Sequence, residues 1–500
     1  MKTLSIKELM AQSGVAFGTS GARGLVEAMT DEVCMAYTTA FLQHVEESGQ
    51  ISATDRELFV AGDRRPSSPR IMRAVLQAAS DRGYTVRSAG LVPSPALALF
   101  GMTRGMPAVM VTGSHIPDDR NGLKFTTKHG EITKTDEQGI AKQLVTLSSA
   151  VDARGMLISP RELPETDVTA AKLYIQRYLD VFGPHALSGF KLGVYGHSAV
   201  GRELLVELYQ SMGAEVVALG WSEQFIPVDT EAIRPEDELL AAQWAKEDSF
   251  SAILSTDGDS DRPLLSDERG RWLRGDVTGI LTARFLGADA VALPVSCNTA
   301  LEKSAWFKHV KRTRIGSPFV IAGLAELSAA GARAVVGYEA NGGFFTHTPL
   351  SIQNKSGQVI ALPALPTRDP VIVHIAVLLL AKQHNCSVSE LERLLPQRIT
   401  ASGRDQNFSQ ARSQLVLSQL AQLTPKELTS TLGLGTVCEV DNTDGLRFSF
   451  ATDEILHLRP SGNAPELRCY AEASQQPRAL ELVSYGLDLA RRLAPSPLAT

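Results

Sequence analysis

The chain predicts a multidomain α/β protein: three related mixed α/β domains followed by a smaller α+β domain. Three observations carry this expectation. Its 500 residues are more than one hydrophobic core usually organises. Nearly continuous apolar runs alternate with helical segments through the first two thirds, the pattern of mainly parallel sheets covered on both faces. The last hundred residues lose that alternation and read as hairpins.

The first strand–helix–strand unit begins with Leu58-Phe59-Val60-Ala61. Its helix opens at Ser68-Pro69 and stops at Gly83, before Tyr84-Thr85-Val86. The second runs from Lys191–Tyr195 through a helix over about 200–212 to Glu215–Leu219. The third starts at Ala290–Pro294, with a helix from about Asn298 and a strand at Lys311–Ile315. A further helix over about 319–330 leads to Ala334-Val335-Val336. Val371–Ala381 contains His374, is too short to span a bilayer, and reads as a core helix. The Ser/Gln-rich stretch at about 400–422 reads as a linker followed by a helix. Strands at Val437–Val440, Leu446–Phe450, Ile455–Leu458 and Leu467–Ala471 then precede a helix ending near Leu493.

Composition narrows the function. With 44% hydrophobic and 21% charged residues the chain is ordinary globular protein. Lys+Arg 49 against Asp+Glu 55 gives −6, which removes the basic footprint of a nucleic-acid or membrane-surface binder. Cys34, Cys297, Cys386, Cys438 and Cys469 are odd in number and include no C-x-x-C pair, the pattern of free thiols in a reducing compartment. Met1–Gly18 has no signal-peptide core. A cytoplasmic protein is expected.

Four segments concentrate chemistry. The strand Pro107–Val111 stops at Thr112-Gly113, which presents Ser114 where open α/β sheets bind ligands. His115, Asp118, Asp119, Arg120 and Lys124 crowd around it, although serines at strand ends often only cap turns. Asp257, Asp259 and Asp261 follow a second strand at alternate positions, able to converge on one hard cation, with Mg²⁺ the favoured ion. Without a cation, three like charges so close are costly. With Glu268 they also have calcium-loop spacing, but the position that needs glycine is Arg262; a solvated acidic turn is the plain alternative. Glu339 and Asn341 lie in a glycine-flanked loop suited to sugar hydroxyls, or in an ordinary turn. Arg459, Ser461, Gly462 and Asn463 form a loop able to cradle a phosphate. Two weaker segments, 17–24 with Arg23 and 62–68 with Asp63, Arg64 and Arg65, place arginines in Gly- or Pro-rich loops.

Taken in order, these segments resemble the α-D-phosphohexomutases, over nearly the whole chain from Phe17 to about Glu472. The family's serine loop T-A-S-H-N-P is met by Thr112–Pro117, and its metal loop D-G-D-x-D-R by Asp257–Arg262. Its sugar loop G-E-x-S-G is met approximately by Tyr338–Gly342, and its phosphate loop R-P-S-G-T by Arg459–Asn463. The resemblance implies four domains around a central cleft: 1–152 with the serine loop, 153–262 ending in the metal loop, 263–398 with the sugar loop, and 399–500 with the phosphate loop. It implies a phosphorylated Ser114, one Mg²⁺ held by Ser114, Asp257, Asp259 and Asp261, and Lys124 as acid/base assisted by His115 and Arg23. Arg262 would steady the transferring group, Glu339 and Asn341 would grip the sugar, and Arg459, Ser461, Gly462 and Asn463 the other phosphate. The Ser114 loop is expected at the surface of the cleft.

The implied activity moves phosphate between the 6- and 1-positions of mannose through a hexose 1,6-bisphosphate, which also acts as activator. Glucose and glucosamine phosphates are the alternatives. A sugar-phosphate hydrolase and a non-catalytic sugar-phosphate-binding protein are the rivals from other classes. A monomer or weak homodimer is expected, with no nucleic-acid or membrane partner. Gly113 and Ile116 replace the usual Ala and Asn, Asn341 the usual Ser, and Asn463-Ala464 the usual Thr-Glu; none removes a charged catalytic group.

Overall fold

A computed structural model describes residues 2–18, 21–51, 56–353, 359–461 and 465–494. Three mixed sheets and one antiparallel sheet organise them. In the first, strands Glu57–Gly62, Thr85–Gly90 and Ala108–Val111 run parallel, with Glu57–Gly62 central, and Arg120–Thr127 joins Ala108–Val111 antiparallel. The second orders Glu215–Leu219, Lys191–Tyr195, Ala252–Thr256 and Pro263–Leu265; only the last pair is antiparallel. The third repeats this with His309–Thr313, Ala290–Pro294, Val335–Tyr338 and Phe344–Thr346.

The repetition places the functional loops. In each sheet a fully buried parallel strand ends and the chain returns antiparallel beside it, so the intervening loop is a hairpin tip at the strand's C-terminal end. Val111 pairs Leu123 across the Ser114 loop, Thr256 pairs Pro263 across the aspartate loop, and Tyr338 pairs Phe344 across the Glu339 loop. Purely parallel sheets need crossovers at every step; a tight reversal lets one short loop carry several polar groups on a rigid base.

Helix Pro370–His384 is buried along most of its length and packs on helix Gly275–Phe285, as its continuous apolar run requires. Its N-cap, Asp369, accepts from Val371 N at 3.1 Å and from the hydroxyls of Tyr174 and Tyr178. That anchorage fixes the neighbouring Arg368 at the junction of the sheets.

The C-terminal sheet is antiparallel throughout: Ile399–Asp405, Leu467–Ala473, Ile455–Pro460, Leu446–Phe450, Val437–Asp441, with helix Gln476–Leu493 against it. Two expectations need correction here. The start of the supposed linker, Ile399–Asp405, is the edge strand of this sheet, and helix Gln410–Ala421 follows. Its Ser, Gly, Arg and Asp hide the strand pattern because an edge strand pairs on one side only. The helix expected from Asn298 is a single turn, Ala300–Lys303. The five cysteines are free thiols, and among the described residues no helix is long and apolar enough to cross a membrane.

Candidate active site

Ser114 is completely buried, which corrects the expectation of a serine at the surface of a cleft. Domain packing closes over it: a Cβ on Gly258 would lie 2.6 Å from the Ser114 carbonyl oxygen and 3.1 Å from Phe225. Its φ of 59° is left-handed, unusual for a residue with a side chain. Its hydroxyl donates to Asp257 Oδ2 at 2.5 Å and lies 3.5 Å from His115 Nδ1. Its amide donates to Thr112 Oγ1 at 2.8 Å.

The three aspartates converge, with ligand oxygens within 4.8 Å of one another and all three side chains buried. The loop shapes itself around Asp257, whose Oδ1 accepts the amides of Asp261 and Arg262 at 3.1 and 3.2 Å. Lys124 donates to Asp259 and Asp261 at 2.6 and 2.7 Å. Asp259 Oδ1 and Asp261 Oδ1 are nonetheless buried without a hydrogen-bond partner. Burial, then the charges of Asp259 and Asp261, push the Asp257 carboxyl up to about 7. Converging carboxylates and two orphaned buried oxygens fit a hard divalent cation. Burial pulls the Lys124 pKa down, but Asp259 and Asp261 outweigh that and raise it, so it is an ammonium.

Around the aspartates stand arginines. Burial and the nearby Arg262 lower the Arg23 guanidinium to about 10, and its Nε and Nη2 have no hydrogen-bond partner. Such orphaned donors suit an anion. Arg262 Nη1 donates to His115 Nδ1 at 2.9 Å. Burial and Arg262 hold His115 well below its ordinary pKa, so it is neutral with its proton on Nε2, 4.0 Å from Asp229. Asp229 is one residue that the motifs missed.

Arg368 is another. Its side chain, about 1% exposed, donates to Glu339 Oε2 at 2.6 Å and approaches Asp261 at 3.4 Å and Glu131 at 3.9 Å. It thereby ties the Glu339 loop, the aspartate loop and the first sheet together. Asn341 does not face a partner across the site with its side-chain oxygen: Oδ1 accepts Gly343 N at 2.9 Å, while its backbone carbonyl accepts Thr230 Oγ1 at 2.6 Å.

Arg459 and Ser461 stand apart on the C-terminal sheet. Arg459 Nε donates to Asp444 at 2.8 Å, and Asp444 also accepts Ile315 N at 3.0 Å. The Ser461 amide donates to the Glu466 carbonyl at 2.8 Å. Charge links this region to the centre: burial and Asp229 push Glu231 up, against the pull of Arg274, Arg468 and Arg262. Gly462 and Asn463 lie outside the described residues.

Family models agree with this geometry in four consecutive stretches. The phosphoglucomutase/phosphomannomutase alpha/beta/alpha domains I, II and III match residues 14–150, 172–270 and 274–398, and the C-terminal domain matches 421–485. The chain belongs to the phosphoglucomutase/phosphomannomutase family. It is similar to a phosphomannomutase of Salmonella muenchen, 43% identical over 95% of each chain. It is also similar to one of Sinorhizobium fredii, 41% identical over 95% of this chain and 98% of the relative. Among solved structures, a phosphoglucomutase/phosphomannomutase family protein from Burkholderia thailandensis superposes with a TM-score of 0.71 at 21% identity, covering 97% of this chain and 99% of that one.

Proposed function

We propose that the chain is a phosphohexomutase acting on mannose phosphates, interconverting mannose 6-phosphate and mannose 1-phosphate. The observation that carries the reading is the meeting of Ser114 with Asp257 at 2.5 Å inside a ring of Lys124, Arg23, Arg262 and Arg368. The two relatives above 40% identity, both named phosphomannomutase, support the choice of sugar.

Ser114 Oγ carries the phosphoryl group. A hydroxyl oxygen of the hexose phosphate forms the new P–O bond as the bond to Ser114 Oγ breaks. The sugar's proton passes to a base of the site, and the serine oxygen is reprotonated. The resulting hexose 1,6-bisphosphate turns over and returns its other phosphate to Ser114. Asp257, Asp259, Asp261 and the group on Ser114 would hold Mg²⁺, which supplies neutralisation of charge on the transferring oxygens. The Lys124 ammonium gives its proton to the departing Ser114 oxygen and, as an amine, takes up the sugar's proton, with the neutral His115 beside it. Arg23 and Arg262 meet the equatorial oxygens, since phosphoryl transfer is mostly positioning and charge stabilisation. Glu339 and Asn341 contact sugar hydroxyls, and Arg459, Ser461, Gly462 and Asn463 hold the non-reacting phosphate.

A panel of mannose, glucose, glucosamine and N-acetylglucosamine phosphates, followed for isomerised product and inorganic phosphate, tests this. Mannose phosphates are expected to give the highest kcat/KM, with negligible phosphate release. Inorganic phosphate as the main product would refute the mutase reading; a higher kcat/KM with another sugar would refute the choice of mannose.

A further inference from the structure

The segment 62–68 is not used by the chemistry above, yet it builds a buried lattice beneath the serine loop. Arg65 has a side chain with no solvent exposure, ion-paired with the equally buried Asp63. Its Nη2 donates to the Ser114 carbonyl at 3.0 Å and to the Ile116 carbonyl. Asp63 reaches the same loop from another direction: Oδ2 accepts Thr112 Oγ1 at 2.6 Å, and Thr112 Oγ1 accepts the Ser114 amide. Asp63 Oδ1 accepts Ser68 Oγ at 2.6 Å and the Arg65 amide at 3.1 Å. Both the N–H and the C=O of Ser114 are thus held by groups that converge on one carboxylate.

The guanidinium is seated as well as bonded. Its carbon stands 4.0 Å from the centre of the Phe225 ring, which belongs to the segment joining strands of the second sheet. On its other side lies Gly113, where a Cβ would be 2.8 Å from Arg65 Cζ and Nη2. A guanidinium held between these neighbours has no room for an alanine at 113. Ser114 in turn keeps a left-handed backbone, a strained conformation for a residue with a side chain that persists only where its surroundings over-determine it.

We propose that Arg65 is a positioning residue for phosphoryl transfer: with Asp63 and Phe225 it clamps the Ser114 and Ile116 carbonyls, and Gly113 is the vacancy that admits its guanidinium. The clamp sets where the Ser114 hydroxyl sits relative to Asp257, touching neither sugar nor phosphate. The inference rests on the mutase reading for its catalytic consequence. A misplacement of about 1 Å can cost roughly 100-fold in rate.

A double-mutant cycle of Arg65→Lys and Gly113→Ala tests it, read both by kinetics and by thermal unfolding of the full chain. Each single variant is expected to lower kcat about 100-fold while KM for the hexose phosphate stays within about twofold. Lysine lacks the broad planar head, so Gly113→Ala is expected to cost less than about twofold further in the Arg65→Lys background. The unfolding midpoints should show the same non-additivity, and that readout needs no assumption about the reaction. Independent, additive effects at the two positions, in kcat or in unfolding, would overturn the clamp. So would single variants that raise KM and spare kcat. A wild-type chain that makes no isomerised product would instead refute the mutase reading, leaving the unfolding cycle to decide the clamp.

Discussion

In the proposed reaction the Ser114 loop and the Arg459 loop both present hydroxyls and cations to a phosphate, but they are built in opposite ways. The buried site around Ser114 draws on three sheets: Asp257 comes from the second, Lys124 spans the first and second, and Arg368 ties Asp261 to Glu339 of the third. Arg459 sits on a separate antiparallel sheet, which meets the residues around the third sheet along a polar seam. Contacts across it include Asp444 with Ile315, Asn298 with Thr400 and the Arg398 carbonyl, Asp276 with Thr400, Lys303 with Asp453, and Glu472 with Thr299. The difference teaches a division of labour. The reacting end is fixed in advance, which keeps reorganisation out of the barrier. The gripping end would ride on a body that shifts, as the turnover of the proposed bisphosphate requires.

The contrast can be broken most severely at Ser114. Ser114→Ala should lower kcat by at least about 10⁴-fold, with an unfolding midpoint near that of the parent chain. Intact mass after incubation with hexose bisphosphate should show no added phosphate; a normal rate would remove Ser114 as carrier. Asp257→Asn takes away the carboxylate that accepts the serine hydroxyl and one charge of the triad. It should raise the Mg²⁺ concentration for half-maximal activity at least about tenfold, equal to about 1.4 kcal/mol. Unchanged Mg²⁺ dependence would count against the triad as the metal site.

Arg459→Ala probes the other end. Losing one charge-assisted contact of about 1.5–3 kcal/mol should reduce kcat/KM roughly 10- to 100-fold, while Ser114 still becomes phosphorylated. An equal loss of phosphoserine would mean that the two loops are not separable. The gentlest probe is Glu472→Gln, which weakens the buried pair with Arg398 at the seam with the C-terminal domain. It should lower the unfolding midpoint of the C-terminal domain and change kcat only a few-fold. A kcat loss as large as that of Asp257→Asn would show that the seam fixes the chemistry too.

Much of this was legible in the chain because its chemistry is local. Ser114 and the Asp257–Asp261 run each lie within a few residues of an apolar strand, so strand and loop announce each other. The parallel strands were legible for the same reason: Lys191–Tyr195, Glu215–Leu219 and Ala290–Pro294 have the bounds read from their apolar runs. Residues whose work depends on distant partners were not. Arg368 reads as a charge before Asp369-Pro370, and only the packing of three sheets brings it onto Glu339 and Asp261. Asp229 and Phe225 occupy an irregular segment and gain meaning from His115 and Arg65 across the site. The burial of Ser114 was equally hidden, since it arises from loops of other domains. Gly113 was visible as a departure from the family pattern, but its reason lies in a guanidinium 48 positions back in the chain, seen only through space.

The three hairpin tips also bear on how a covalent phosphate survives. Serine phosphate in reach of bulk solvent is exposed to attack by water at about 55 M, roughly 5 × 10⁴ times a millimolar sugar. Here the oxygen that would carry it sits where the Ser114 and Asp257 reversals meet, on a residue with no solvent-accessible surface. An enclosure of that kind discriminates between acceptors by admission rather than by reactivity. In the proposed reaction a hexose phosphate would reach the phosphorus by spending binding energy that water does not bring.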